Sequence, residues 1–191
     1  FDADATNTIT IDTGAGADVV DLFKVSDGAG GESTVNFSAG AGDDVLTADA
    51  AITVGSGHTI DGGDGTDQLG TDNDGADITS ATVSNIENVL IEGTGNLVVN
   101  AANFTGQSVE VSTFSTGRFE LQGTSTGGSS ETIDAGSFST VGPNGIAITG
   151  GAGQDAITGT GGADTINAGA EDDTLKGGAG NDTLDGGDGA D

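Results

Sequence analysis

The sequence contains no cysteine, methionine, tryptophan or tyrosine, and it has one histidine and one proline. Without cysteine, the chain can form neither a disulfide framework nor a thiolate metal site. The one histidine, His58, rules out zinc sites that need two histidines on one helix. A small domain that lacks these staples needs another source of stability.

Basic residues are scarce, since 3 Lys and Arg face 31 Asp and Glu and the formal net charge is −28. Nucleic acid is excluded as a partner because its phosphates are bound by clustered Lys and Arg. No apolar run is long enough to span a bilayer, so we expect no membrane insertion. The carboxylates recur at regular intervals among Val, Ile, Leu and Thr, which favours a folded β-protein over a disordered acidic chain.

The C-terminal region consists of a nine-residue repeat that begins at positions 150, 159, 168 and 177 and is cut short at 186–191. The sixth residue of each frame is aspartate and the eighth of each complete frame is apolar: Asp155, Asp164, Asp173, Asp182 and Asp191, with Ile157, Ile166, Leu175 and Leu184. This phase predicts a glycine-rich turn followed by a short strand whose apolar side chain points inward. Because the last frame is incomplete, we expect the sequence to be part of a longer protein.

Isolated copies of the same frame occur earlier, at 13–21, 39–47 and 62–70. Their sixth residues are Asp18, Asp44 and Asp67, and a degenerate copy at 72–80 keeps Asp77. The three full copies start 26 and then 23 residues apart, whereas two nonapeptides make 18. The spacing therefore predicts one coil per copy with an insertion of 8 or 5 residues.

The middle of the chain has few Gly-Asp turns and more alternating, strand-like runs, at 85–93, 95–101, 107–114, 117–123 and 131–136. Four phenylalanines, at 104, 114, 119 and 138, make this stretch the best candidate for a bulky core. No segment has the period of an amphipathic helix. We predict three parts: an irregular solenoid over 1–80, a strand-rich segment over 81–149 and a regular roll over 150–191.

The Gly-Gly-x-Gly-x-Asp turn suits a hard cation. Ca²⁺ takes about six to eight oxygen ligands at roughly 2.3–2.6 Å. Glycines let the backbone curl so that its carbonyls converge, and the aspartate adds a charged oxygen on a short side chain. One turn offers too few oxygens, whereas two facing turns offer enough, so metal is the expected staple.

The repeats at 150–191 resemble the RTX (repeats-in-toxin) family, and those in the first eighty residues resemble it more weakly. The resemblance implies an all-β fold, a right-handed parallel β-roll or β-solenoid with calcium-binding Gly-Asp turns and two repeats per coil. It also implies export by type I secretion and an extracellular location at a bacterial cell surface. Several Ca²⁺ ions are expected between turns of adjacent coils.

This resemblance implies which residues share ions: Asp155 with Asp173, Asp164 with Asp182, and Asp173 with Asp191. The expected carbonyl ligands are those of Gly150, Gly151, Gly153, Gly177, Gly178 and Gly180, and the earlier turns contribute Asp18, Asp44, Asp67 and Asp77. Three residues depart from the pattern by replacing one of the first two glycines: Thr13, Thr160 and Ala168. In the third C-terminal repeat, Glu171 stands where glycine is usual, so weaker binding is expected there.

Three functions remain open at this point. No G-x-S-x-G elbow or other catalytic constellation is present, so we expect no enzymatic activity in this chain. The interrupted, Ser/Thr/Asn-rich middle resembles Caulobacter-type surface-layer proteins, which favours a structural subunit or large adhesin that forms a homo-oligomer or lattice through calcium. The alternatives are an accessory module of a secreted protease, lipase or epimerase, and the repeat domain of a toxin.

Overall fold

The computed structural model describes residues 8–22, 34–48, 57–71, 75–113, 117–124, 128–141 and 145–191. Within these residues the chain forms nineteen β-strands and one short 3-10 helix at Ala101–Asn103. Each described strand pairs with its neighbours in parallel. The predicted all-β solenoid of stacked parallel coils is therefore confirmed.

The strands, numbered along the chain, stack into four sheets. The first sheet contains β1 (Thr8–Asp12), β3 (Thr34–Ser38), β5 (Thr59–Asp61) and β8 (Thr82–Ser84). The second contains β2 (Val19–Leu22), β4 (Val45–Ala48), β6 (Gln68–Thr71), β9 (Asn88–Ile91), β11 (Glu110–Thr113) and β14 (Ser139–Val141). The third contains β7 (Ala76–Asp77), β10 (Leu97–Asn100), β12 (Phe119–Gln122), β15 (Ala147–Ala152), β17 (Thr165–Ala170) and β19 (Thr183–Asp188). The fourth contains β13 (Thr132–Asp134), β16 (Ala156–Thr158) and β18 (Thr174–Lys176).

The strands form where apolar and polar residues alternate. In β10, Leu97 and Val99 are buried while Val98 is half-buried. A strand turns successive side chains to opposite faces, so each one buries every second residue. Every alternating run predicted in the middle of the chain contains a strand, which confirms those predictions.

The register between coils follows the repeat. In the C-terminal region Ala156 pairs with Thr174, which is 18 residues later. In the N-terminal region Thr8 pairs with Thr34, and Asn36 pairs with Thr59, which gives steps of 26 and 23 residues. The predicted enlarged coils of the N-terminal region are thus confirmed.

The number of strands in a coil changes along the stack. The coil that contains β8, β9 and β10 contributes one strand to each of three sheets, and so does the coil of β13, β14 and β15. The second sheet ends at β14, so β16 to β19 form coils of two strands. Between β8 and β13 the 3-10 helix takes the place of a strand: Asn103 Nδ2 donates to the Ala81 carbonyl (3.0 Å), and Gly106 N–H donates to the Asp134 carbonyl (2.7 Å).

The three-strand coils hold the bulkiest core. The rings of Phe104 and Phe119 meet edge to face with centroids 5.3 Å apart, and Phe138 stacks at 6.4 Å from Phe119. These three phenylalanines are buried, as predicted, and Phe114 lies outside the described residues. In the C-terminal coils the core is narrower, and each repeat contributes one aliphatic residue, such as the buried Ile157 and Ile166.

Hydrogen-bonded sheets cross the boundaries predicted between the three parts of the chain. The third sheet runs from β7 to β19 and so passes residues 80 and 149 without a break in strand pairing. The division into 1–80, 81–149 and 150–191 stays a prediction based on the repeats. In the part of the chain that is described, no helix is long and apolar enough to cross a membrane.

Candidate metal-binding turns

The Gly-Asp frames lie at the corners where one sheet passes into another. Turns 13–18, 39–44 and 62–67 join the first sheet to the second, and turns 159–164 and 177–182 join the fourth sheet to the third. The second and fourth residues of most of these turns have positive φ. Examples are Gly40 (+97°) and Gly42 (+142°). Glycine adopts this left-handed region without a steric penalty, which explains its place in the motif.

The same glycines let the coils approach closely. A Cβ at Gly169 would collide with the carbonyl oxygen of Gly151 in the preceding coil, and a Cβ at Gly63 would collide with that of Gly40. Four of the predicted glycines have positive φ: Gly151, Gly153, Gly178 and Gly180. The other two, Gly150 and Gly177, are buried at the first position of their turns. Whether their carbonyls bind metal stays a prediction.

The aspartates stack from coil to coil through one carboxylate oxygen. The backbone N–H of Asp18 donates to Oδ1 of Asp44 (2.7 Å), and that of Asp44 donates to Oδ1 of Asp67 (2.9 Å). Each carboxylate therefore fixes the turn of the preceding coil. The result is a ladder of aspartates along each edge.

The C-terminal aspartates pair as the repeat predicts. The N–H of Asp155 donates to Asp173 Oδ1 (2.8 Å), that of Asp164 to Asp182 Oδ1 (3.0 Å), and that of Asp173 to Asp191 Oδ1 (2.9 Å). Repeats that are two apart thus lie on the same edge. The shared ions remain a prediction.

The second carboxylate oxygen is left without a donor in most of these turns. Six buried outer oxygens have no hydrogen-bond partner, namely Oδ2 of Asp18, Asp44, Asp67, Asp155 and Asp173, and Oε2 of Glu131. Burying a charged oxygen without a partner is costly, and proteins rarely leave such a group unsatisfied. A cation is the simplest group that would satisfy it.

Beside Asp155 and Asp67, a backbone carbonyl oxygen lies next to the outer carboxylate oxygen. A Cβ at Gly150 would lie 2.7 Å from Asp155 Oδ2 and would also touch the Ala168 carbonyl of the next coil. The same holds at Gly62, with Asp67 Oδ2 at 2.8 Å and the Asn85 carbonyl close by. Glycine therefore keeps open a space lined by a carboxylate and a carbonyl, which are the oxygens that Ca²⁺ prefers.

A metal ion bound in these turns would take most of its ligands from backbone carbonyls. No group of three or more His, Cys, Asp or Glu side chains capable of holding a metal occurs within the described residues. The carboxylates are instead spaced one per turn along an edge. A cation in these turns would be held by one or two aspartates and by backbone oxygens, and this fits the coordination of Ca²⁺ better than that of zinc.

The fold destabilises the ionised form of Asp67 in its column. Burial raises the pKa of Asp67 above its ordinary value of 3.8, and the negative charges of Asp44, Glu87 and Asp43 raise it further. The hydrogen bond from the Asp44 backbone acts in the opposite direction. The ionised carboxylate is therefore destabilised by the fold itself, and a bound cation would reverse that effect.

Asp77 is not placed in such a column. It lies in β7, is exposed, and accepts hydrogen bonds from Thr79 N–H (3.1 Å) and Thr79 Oγ1 (2.8 Å). Its strand pairs with β10, so the degenerate frame continues into a sheet instead of stacking on the turns. Its carboxylate accepts local hydrogen bonds, and its role as a metal ligand stays a prediction.

Two glutamates join the columns although they lack the motif. Glu87 Oε2 accepts the N–H of Asp67 (2.9 Å), and the N–H of Glu131 donates to Asp155 Oδ1 (2.8 Å). Both were missed because neither follows a Gly-x-Gly-x run. The available signal was a carboxylate immediately before a short strand, since Glu87 precedes β9 and Glu131 precedes β13.

Glu171 departs from the motif and adopts an unfavourable backbone conformation. It occupies the fourth position of its turn with φ +83°, where the other turns of this type have glycine. A side chain in this region costs roughly 1–3 kcal/mol. This strain agrees with the expectation of weaker binding in that turn, which stays a prediction.

Replacing Gly169 by alanine tests the close approach of the coils. Gly169 has φ +119° and faces the Gly151 carbonyl, so Gly169→Ala should lower the free energy of unfolding by about 1–3 kcal/mol. Gly161→Ala is the matched control, because a Cβ there meets nothing within 4 Å and φ is not positive. Urea unfolding of both variants in saturating calcium measures the difference, and equal losses would contradict the packing described here.

Replacing Asp67 by asparagine should have opposite effects with and without metal. The folded-state pKa is raised, so the ionised group opposes folding at neutral pH, and this opposition disappears as the pH falls through the folded pKa toward 3.8. In chelator at pH 7, Asp67→Asn should fold at a lower concentration of a stabilising osmolyte than the wild type, and the advantage should vanish near pH 3.8.

In saturating calcium the same variant should be less stable, because it lacks a charged ligand. Circular dichroism follows both measurements. Asp64→Asn, which changes an exposed residue of the same turn, serves as the control. A variant that is no more stable than the wild type in chelator would show that burial of Asp67 carries no penalty.

Comparison with known proteins locates the family resemblance. The sequence model described as the RTX calcium-binding nonapeptide repeat matches four copies, at residues 29–51, 147–166 and 158–191, of which the last two overlap. Turns 13–18 and 62–67 lie outside these matches but stack on turn 39–44 in the same way. Searches of curated proteins and of solved structures gave no match. The chain thus contains RTX calcium-binding nonapeptide repeats, folded as stacked parallel coils whose aspartates line the edges.

Proposed function

We propose that this chain is a calcium-folded structural module of a secreted bacterial protein and assembles at the cell surface, as a surface-layer subunit or a large adhesin. The observation that carries the proposal is the set of buried outer carboxylate oxygens without donors, repeated from coil to coil along the edges. Their spacing by one coil suits a row of Ca²⁺ ions better than a single catalytic metal.

Calcium would act mainly on folding. Stacking the turns without metal brings ionised aspartates within hydrogen-bonding reach of one another's backbone and away from water. A cation that binds only the stacked turns contributes its binding free energy to folding. That contribution weighs most in the two-strand coils at the C-terminal end, where each repeat buries one aliphatic residue, such as Ile157 and Ile166.

This dependence supports a secreted protein. A chain with a net charge of −28 and little core repels itself until a cation binds. Where calcium is scarce such a chain stays open, and where calcium is abundant it folds. Export through a narrow type I channel followed by folding outside the cell is consistent with these properties.

Assembly is favoured by exposed carboxylates outside the sixth position of the repeats. Asp185 and Asp188 are exposed in the last coil, and exposed Asp172 accepts the Ala190 N–H (3.0 Å). Such acidic faces repel one another unless shared cations bridge them. The interrupted coils also favour a structural role, because modules attached to secreted enzymes have a more uniform run of repeats.

The first expectation is that calcium drives folding. After chelation the chain should show a largely unstructured circular dichroism spectrum, and calcium should restore the β spectrum cooperatively. Mg²⁺ should not replace it at similar concentration, because Mg²⁺ needs a tight octahedron and retains its waters. A β spectrum that persists in excess chelator, or equal midpoints for the two ions, would contradict this expectation.

The second expectation is that calcium drives ordered self-association. Electron microscopy should show sheets or filaments with calcium and none without it. The double variant Asp185→Asn/Asp188→Asn should still fold but assemble poorly, whereas the matched double variant Glu92→Gln/Glu110→Gln, which removes two exposed charges in the middle coils, should assemble normally. A protein that stays monodisperse at millimolar calcium, and hydrolyses a polymer or lipid, would instead be the module of a secreted enzyme.

A further inference from the structure

The five C-terminal aspartates are equivalent in sequence but not in structure. The coils of two strands have two edges. The Asp155 edge contains Glu131, Asp155, Asp173 and Asp191, which are linked coil to coil by backbone donation to a carboxylate oxygen. The Asp164 edge contains Asp164 and Asp182, which are linked in the same way. The edges differ at Asp164, whose outer oxygen has a donor, whereas the outer oxygens of Glu131, Asp155 and Asp173 have none.

Resting on the proposed calcium-dependent function, we propose that cation sites follow the unsatisfied oxygens and not the motif. The Asp155 edge carries a continuous column of sites that starts at Glu131, outside the nonapeptide repeat. On the Asp164 edge, Thr160 takes the place of a cation at Asp164. The ligand is a divalent cation that prefers oxygen, such as Ca²⁺.

Asp164 is fully satisfied by protein donors. Its Oδ1 accepts the N–H of Ile146 (2.9 Å), and its Oδ2 accepts the N–H of Thr160 (2.6 Å). The Thr160 hydroxyl lies 2.9 Å from both oxygens. Several donors to one carboxylate stabilise its charge, so this buried anion needs no metal.

The backbone of this turn also differs. In the turn of Asp155, Gly151 and Gly153 have φ +146° and +121°. None of residues 159–162 has positive φ, and Gly162 N–H instead donates to Thr160 Oγ1 (3.0 Å). A β-branched residue avoids the left-handed region, so Thr160 selects another turn conformation. The hydroxyl then occupies the interior of the turn.

Glu131 is the reverse of Asp164. It lies outside the motif, but one of its carboxylate oxygens has no hydrogen-bond donor. Its Oε1 accepts the Thr124 N–H (3.1 Å), while Oε2 is buried without a partner. A Cβ at Gly123 would touch both Glu131 Oε2 and the Gly150 carbonyl. Gly150 has the same relation to Asp155 Oδ2 and to the Ala168 carbonyl.

The two sites therefore have the same construction, one coil apart. Asp155 itself is 2% exposed, and its outer oxygen is also unpartnered. Glu131 is joined to it through the N–H that donates to Asp155 Oδ1. The column on this edge thus begins one coil earlier than the repeat indicates.

The test is to count bound calcium in the whole chain by equilibrium dialysis and elemental analysis, with folding checked by circular dichroism. Glu131→Gln should bind at least one ion fewer than the wild type, and the exposed control Glu110→Gln should bind the same number. Asp164→Asn should keep the wild-type count, whereas Asp173→Asn should lower it. Thr160→Gly, which restores the repeat, should gain an ion, and Thr160→Ser should gain none.

Each outcome decides the matter. A count that falls in Asp164→Asn as much as in Asp173→Asn overturns the assignment of Thr160, and an unchanged count in Glu131→Gln overturns that of Glu131. If Asp164→Asn does not fold, equal counts for Thr160→Gly and Thr160→Ser overturn the first assignment. A wild-type chain that binds no calcium overturns the proposed function as well. If the wild type binds calcium but the ion counts of the variants differ from those expected, only this inference is overturned.

Discussion

The whole structure depends on one interaction, the stacking of a carboxylate on the backbone of the preceding coil. One oxygen accepts an N–H, as Asp173 accepts that of Asp155, and the other is held in the turn without a donor. The first oxygen sets the register between coils. The second is a buried charge without a donor that a bound cation would stabilise, so the proposed calcium dependence has the same origin as the register.

The size of the apolar core and the number of motif aspartates vary in opposite directions along the stack. In the middle coils, which have three strands or two strands and the 3-10 helix, Phe104, Phe119 and Phe138 fill the interior, and the described turns contain few motif aspartates. Where coils have two strands, one aliphatic residue per repeat is left, and the aspartates occur at every turn. A narrow coil buries little apolar surface to offset its conformational entropy, and the proposed cation sites lie where that deficit is largest.

Much of this fold could be predicted from the sequence. The phase of Asp155 and Ile157 identifies the turn and the inward strand residue, and the 26- and 23-residue steps between the early frames identify the larger coils. The frame of Asp77 did not indicate that this residue lies in a strand and that Thr79 donates a hydrogen bond to its carboxylate. Glu131 was missed because its role depends on Gly123 and Gly150, which are distant in sequence.

The sequence by itself determined the class of fold, the calcium-binding type of repeat and the positions of the turns. These depend on local properties: the freedom of glycine, alternating strands and the oxygen chemistry of aspartate. Only the tertiary structure decided which carboxylates lack a donor. That property depends on contacts between coils and on local side chains: the Thr160 hydroxyl donates to Asp164, whereas Oδ2 of Asp155 has no donor. The repeat determines the position of an aspartate in the sequence. Its neighbours in space determine whether its outer carboxylate oxygen has a donor or would need a cation.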